Sequence, residues 1–97
     1  MDSVFVGIDV GKDCLDVGVS PTGEYFSVRN DDDGIAELLK KLESLSPQLI
    51  AIEHTGGYER AAAASLQAAG FAVAIVNPRQ VRDFPPVGSA SGAKGYP

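Results

Sequence analysis

Val4 to Val10 is almost unbroken in apolar residues, yet it carries one carboxylate, Asp9, near its far end. Leu49 to Glu53 repeats the device, a short apolar run that stops on Glu53. Glycine and polar residues follow at once in both places, Gly11-Lys12-Asp13 after the first and His54-Thr55-Gly56-Gly57 after the second. Runs of this kind read as central strands, the first of them covered on both faces. A carboxylate at the end of a buried strand is costly unless it has a partner. In open α/β sheets that end of the strands is where ligands collect. The chain is thereby constrained to a sheet with an acidic carboxyl edge.

The remaining pattern sets the order of elements. Leu15, Val17 and Val19 alternate with Asp16, Gly18 and Ser20, the period of a half-buried strand. Pro21-Thr22-Gly23 is a turn signal, and Glu24 to Arg29 returns as a third strand of an antiparallel meander. Asp33 is the expected N-cap of a helix in which Ile35, Leu38, Leu39, Leu42 and Leu45 recur at helical spacing. Lys40 and Lys41 fall in its later half, and Pro47 ends it. Leu49 to Glu53 is the fourth strand, Tyr58 to Ala69 an alanine-rich helix closed by Gly70, and Phe71 to Val76 the fifth strand. The order is βββαβαβ. Right-handed crossovers with sheet order 3-2-1-4-5 place both helices on one face and leave the other bare. Residues 1–84 form this α/β domain, and residues 85–97, rich in Gly, Ser and Pro, read as a flexible tail.

Composition narrows the function classes. A chain of 97 residues is one domain at most, and it holds no apolar run long enough for a membrane span. No signal peptide opens it. The single cysteine, Cys14, permits no internal disulfide and suits a reducing cytoplasm, where it reads as a small space-filling residue beside the first hairpin. A formal net charge of −5 argues against a free-standing nucleic-acid binder. The charge is uneven, because beyond Asn77 Arg79, Arg82 and Lys94 face only Asp83. Asp31-Asp32-Asp33 reads as a solvated helix start.

The sheet order puts Asp9 and Glu53 on neighbouring parallel strands, where two carboxylates repel unless a cation sits between them. Mg²⁺ or Mn²⁺ answers that need, taking oxygen ligands and keeping waters for substrate phosphates. Such sites serve phosphoryl transfer and usually hold three or four carboxylates. Asp13 and Asp16, near the same hairpin, are expected to face solvent. Either Asp9 or Glu53 taken singly reads as a turn-starting acid, but the pair, each before a glycine-containing turn, points to a site. His54 adjoins Glu53 and reads as structural or solvated. Lys12, Arg79 and Arg82 are candidate phosphate contacts, and Gly56-Gly57 before a helix offers backbone N–H groups to an anion.

The segments GIDVGKDCLDVGV, IEHTGGYER and FAVAIVNPRQVRDF resemble, in that order, the amino-terminal domain of DEDD-type transposases. These belong to the insertion-sequence family one-ten and are relatives of the Piv invertase; the likeness covers roughly Val4 to Phe84. The resemblance implies a RuvC-like fold of the ribonuclease H-like superfamily. It also implies Mg²⁺-dependent DNA cleavage and strand exchange in transposition, with a structured RNA of the element as guide. By the family's motif Asp9 is the first catalytic, metal-binding acid and Glu53 the second. The family then continues into a helical segment carrying two more aspartates, in a pattern like KTDRIDA, and a carboxy-terminal domain with a catalytic serine. This chain reads PPVGSASGAKGYP instead, with no acid beyond Asp83. The expectation is therefore a truncated domain lacking the last helix and half of the metal ligands. It should bind the ion weakly, be inactive alone and pair as a homodimer through its bare face. Two other readings stand beside it. GIDVGK before a hairpin also opens the actin-like and sugar-kinase fold, where that turn holds ATP phosphates, though TGGYER and VNPRQVRDF have no place there. The other is a non-catalytic interaction module that pairs with full-length transposase.

Overall fold

The computed structural model describes residues 3–77. Five strands form one mixed sheet: β1 (Phe5–Val10), β2 (Cys14–Ser20), β3 (Tyr25–Arg29), β4 (Leu49–Glu53) and β5 (Val73–Val76). Two helices accompany them, α1 (Asp32–Leu45) and α2 (Arg60–Ala68). The sheet order is β3-β2-β1-β4-β5, with the meander antiparallel and both β1–β4 and β4–β5 parallel. This is the ribonuclease H-like arrangement that the sequence led us to expect. The tail from residue 85, with the question of a last helix, lies outside the described residues, as do Arg79 and Arg82.

Among the described residues the core lies entirely on one side of the sheet. Val6, Ile8 and Val10 of β1, Leu15, Val17 and Val19 of β2, Val28 of β3 and Ile50 and Ile52 of β4 are all buried. They pack in one cluster with Ile35, Leu38 and Leu42 of α1 and Ala62, Ala63 and Leu66 of α2. Both helices therefore cover the same face, as the crossover rule requires. The small side chains of Ala62 and Ala63 let α2 approach the sheet closely.

The first strand departs from its reading as a strand covered on both faces. Its burial alternates, and Phe5 is 43% exposed while Gly7 and Asp9 also face solvent. The residues between the buried valines and isoleucine are Gly and Asp, so the near-continuous apolar run was in truth a period-two pattern with glycine in the outer positions.

The N-cap of α1 lies two residues earlier than the expected Asp33. Asp31 is the N-cap, in extended backbone, and its Oδ1 accepts from the Gly34 N–H at 2.8 Å. Asp32 and Asp33 occupy the first turn, where negative charge complements the helix dipole. Arg29 Nε donates to Asp31 Oδ2 at 2.9 Å and holds the Asp31 carboxyl below the usual carboxylate range. The helix ends at Leu45, with Ser46 left-handed at φ 49° and its N–H on the Leu42 carbonyl. Lys41 lies over the Phe26 ring, 5.0 Å from its centre, instead of serving the last turn. Helix α2 starts at Arg60 and not at Tyr58, because the preceding loop is held in a different geometry, described below. Cys14 is an exposed free thiol rather than a space-filling residue.

Candidate functional site

Strand pairing decides which side chains share the face that the described helices leave uncovered. On β1 that face carries Phe5, Gly7 and Asp9; their β2 partners are Ser20, Gly18 and Asp16. On β4 it carries Leu49, Ala51 and Glu53, with Leu49 beside Phe5 and Ala51 beside Gly7. The register between β1 and β4 reaches Ile8 opposite Ile52, so Asp9 and Glu53 are the next residues along the two strands. Tyr25 pairs with Gly18, Ser27 with Asp16, Ala74 with Ala51 and Val76 with Glu53. The face is thus built in three rows. Phe5 and Leu49 stand at one end, a floor of Gly18, Gly7, Ala51 and Ala74 runs across the middle, and Asp16, Asp9 and Glu53 line the other end.

A shallow concavity of about 490 Å³ occupies the lower two rows, bounded by Asp9, Asp16, Glu53, Tyr25 and Val76 above the small residues. A Cβ added at Gly7 or Gly18 would meet nothing within 4 Å. The absence of side chains there therefore leaves open space directly above the backbone. Both sequence-derived acids, Asp9 and Glu53, are brought to this one hollow.

Asp16 joins them, against its reading as a solvent-facing residue. It sits half-buried opposite Asp9, and its Oδ1 accepts a hydrogen bond from the Ser27 hydroxyl across the β2–β3 pair. The turn length could have revealed this, because a hairpin that pairs Val10 with Leu15 must pair Asp9 with Asp16. Among the described residues, no three His, Cys, Asp or Glu side chains close on a single metal position. Lys12 is exposed in the turn after β1.

The loop after Glu53 gives a second correction. Gly56 and Gly57, at φ 78° and 138°, are the residues expected to offer N–H groups to an anion. The carboxylate that the Gly57 N–H meets is the chain's own. Glu59 Oε1 accepts from the Thr55 N–H, the Thr55 hydroxyl and the Gly57 N–H, each at 3.0 Å. Glu59 is only 4% exposed, the one charged residue in the described core. The Thr55 backbone donor, aided by the others, outweighs the effect of burial and holds the Glu59 carboxyl down to about 2. His54 turns toward the same group, with Nε2 3.9 Å from Glu59 Oε2. Its ring remains largely in solvent, in keeping with a residue that is structural or solvated.

Asn30 completes the surroundings. Its backbone N–H donates to the Asp13 carbonyl at 2.9 Å. Its side-chain Nδ2 donates to the Gly11 carbonyl at 2.9 Å and the Tyr58 carbonyl at 3.0 Å. Composition offered no signal for Asn30, which stands between a strand and an acidic helix start like many turn residues.

The comparisons agree with the fold. No curated protein matches the chain. A family model of DEDD transposases of the IS110 type, described as transposase, matches residues 6–95 and so runs past Phe84. With that match over nearly its whole length, and a sheet of the expected order, the chain belongs to the DEDD transposase family, whose work is DNA transposition and recombination.

Proposed function

We propose that Asp9 and Glu53 are the first and second acids of the divalent-cation centre with which this family cuts and rejoins DNA. The supporting observation is their common position, the next residues after Ile8 and Ile52 on two adjacent parallel strands, both lining the hollow of the uncovered face. Carboxylate oxygens are the ligands that Mg²⁺ and Mn²⁺ take. Asp9 and Glu53 would hold the ion, whose contribution is to stabilise negative charge at phosphodiester oxygens. The described residues supply the right kind of donor but too few of them, and Asp83 is the one acid after Asn77. The chain by itself therefore binds the ion weakly and does not cut DNA.

DNA is the partner that the family assignment implies, and a guide RNA of the element is the finer proposal. Lys12, Arg79 and Arg82 are the phosphate contacts in this reading, and a cytoplasmic, homodimeric protein is its natural setting. Among the described residues no helix is long and apolar enough to cross a membrane. The family match favours this reading over an ATP-binding one.

Titration with Mn²⁺, followed by paramagnetic broadening of amide resonances, tests the proposal. Broadening centred on Asp9 to Gly11 and Glu53 to Thr55 at millimolar ion is expected. Broadening centred on Asp31 to Asp33 would sink it.

A further inference from the structure

The pairing of the two acid-bearing strands ends at Ile8 and Ile52, and the strands then lead into separate loops, Gly11–Asp13 on one side and Thr55–Tyr58 on the other. Some other contact has to set the relation between them. We infer that Asn30 is the positioning residue that ties the strand end bearing Asp9 to the strand end bearing Glu53. Its amide nitrogen has two hydrogens, and the two carbonyls it serves belong to the two different loops, Gly11 and Tyr58. Asn30 is itself anchored, because its main-chain N–H is bound to Asp13 and it stands between β3 and the Asp31 cap of α1.

Each loop is also stiffened from within. Gly11 N–H donates to the Cys14 carbonyl at 2.9 Å, and Glu59 gathers Thr55 and Gly57 on its far side. The bridge therefore joins two ordered bodies. One residue that donates to both transmits their relative position, whereas two separate caps would leave each loop free to shift alone. An aspartate in its place offers no donor to either carbonyl, and a serine has one hydroxyl proton on a shorter stem.

The consequence for a bound cation rests on the reading of Asp9 and Glu53 given above, but the tie itself does not. Two measurements on the full chain keep them apart. The first is amide hydrogen exchange of wild type and Asn30→Ala. Exchange should accelerate about tenfold in both loops together, the size expected from losing hydrogen bonds to backbone carbonyls, while the β1–β2 ladder keeps its protection. Acceleration in one loop alone, or in neither, overturns the inference. The second is Mn²⁺ affinity from the same broadening titration. It should weaken about tenfold in Asn30→Ala, the usual effect of removing a group that orients ligands. Unchanged affinity beside a wild type that binds at Asp9 and Glu53 also overturns the inference. A wild type that binds no Mn²⁺ there defeats the cation proposal, and hydrogen exchange then decides the tie alone. Should Asn30→Ala not fold, Asn30→Asp, which keeps the side chain's shape but offers neither carbonyl a donor, is measured instead, with the same supporting and overturning results.

Discussion

Replacing Gly34 with alanine should destabilise this protein, although the same change in an ordinary helix stabilises it. Gly34 is in the first turn of α1, where alanine is favoured over glycine by about 1 kcal/mol. A Cβ at this position, however, would lie 1.9 Å from the Arg29 carbonyl oxygen and 2.7 Å from the Arg29 nitrogen. Those atoms are backbone of β3, held by its pairing with β2, so no side chain can swing aside. Relief requires moving the helix start. That motion pulls against the Gly34 and Ile35 N–H bonds to Asp31 at 2.8 and 2.9 Å. Overpacking against unyielding atoms costs about 3 kcal/mol, and loosening an N-cap about 1 kcal/mol. After the helix preference is set against these, the net loss is about 3 kcal/mol. For a domain of this size that lowers the melting temperature by on the order of 10–20 °C. Urea and thermal denaturation followed by circular dichroism read it directly. Gly18→Ala is the control, since its Cβ would meet nothing, and it should equal or slightly exceed wild type. A Gly34→Ala protein as stable as wild type would refute the claim that β3 and α1 touch backbone to backbone.

Other outcomes follow from the same geometry. The Glu59 carboxyl is held near 2 in the fold against an ordinary 4.5, so its contribution is fully present above about pH 4.5 and fades as the pH falls toward 2. In Glu59→Gln that part of the acid dependence should vanish, which denaturation midpoints at pH 6, 4 and 2.5 would reveal; parallel curves for the two proteins would contradict it. Ile52→Ala, at a fully buried position, should lose about 2–5 kcal/mol in the same urea assay, whereas Ala51→Ser on the other face should lose little. Cys14, being exposed, should react with a thiol reagent in the native protein as fast as in denaturant, and a protected thiol would show the hairpin edge to be covered.

The strand order and the single helical face were legible because they depend on hydrophobic period and on the handedness of crossovers, both carried by the sequence. The positions of Asp9 and Glu53 at strand ends were legible for the same reason. Details set by side chains bonding to backbone were not. Asp31 rather than Asp33 caps α1 because three consecutive aspartates compete, and only the one in extended backbone, beside Arg29, reaches the Gly34 N–H. The start of α2 moved because Glu59 spends its carboxylate on Thr55 and Gly57, and a TGGYER string gives no hint that its glutamate turns inward. Asp16 was lost through register. Its alternation with apolar residues marks β2 correctly, but nothing in that alternation tells open solvent from the edge of the acidic hollow that Asp16 lines.

Because every buried strand residue points to one side, the sheet divides the chain's tolerance for mutation by parity. Along β1 the even-numbered positions are committed to the core, while Phe5, Gly7 and Asp9 lie outside that described core. Saturation mutagenesis scored for folding alone should give a trace along β1 and β4 that alternates residue by residue. Scored for binding, the trace should be its complement. A lineage can then alter what the open face touches, one outward-facing residue at a time, without drawing on the few kilocalories that keep a small domain folded.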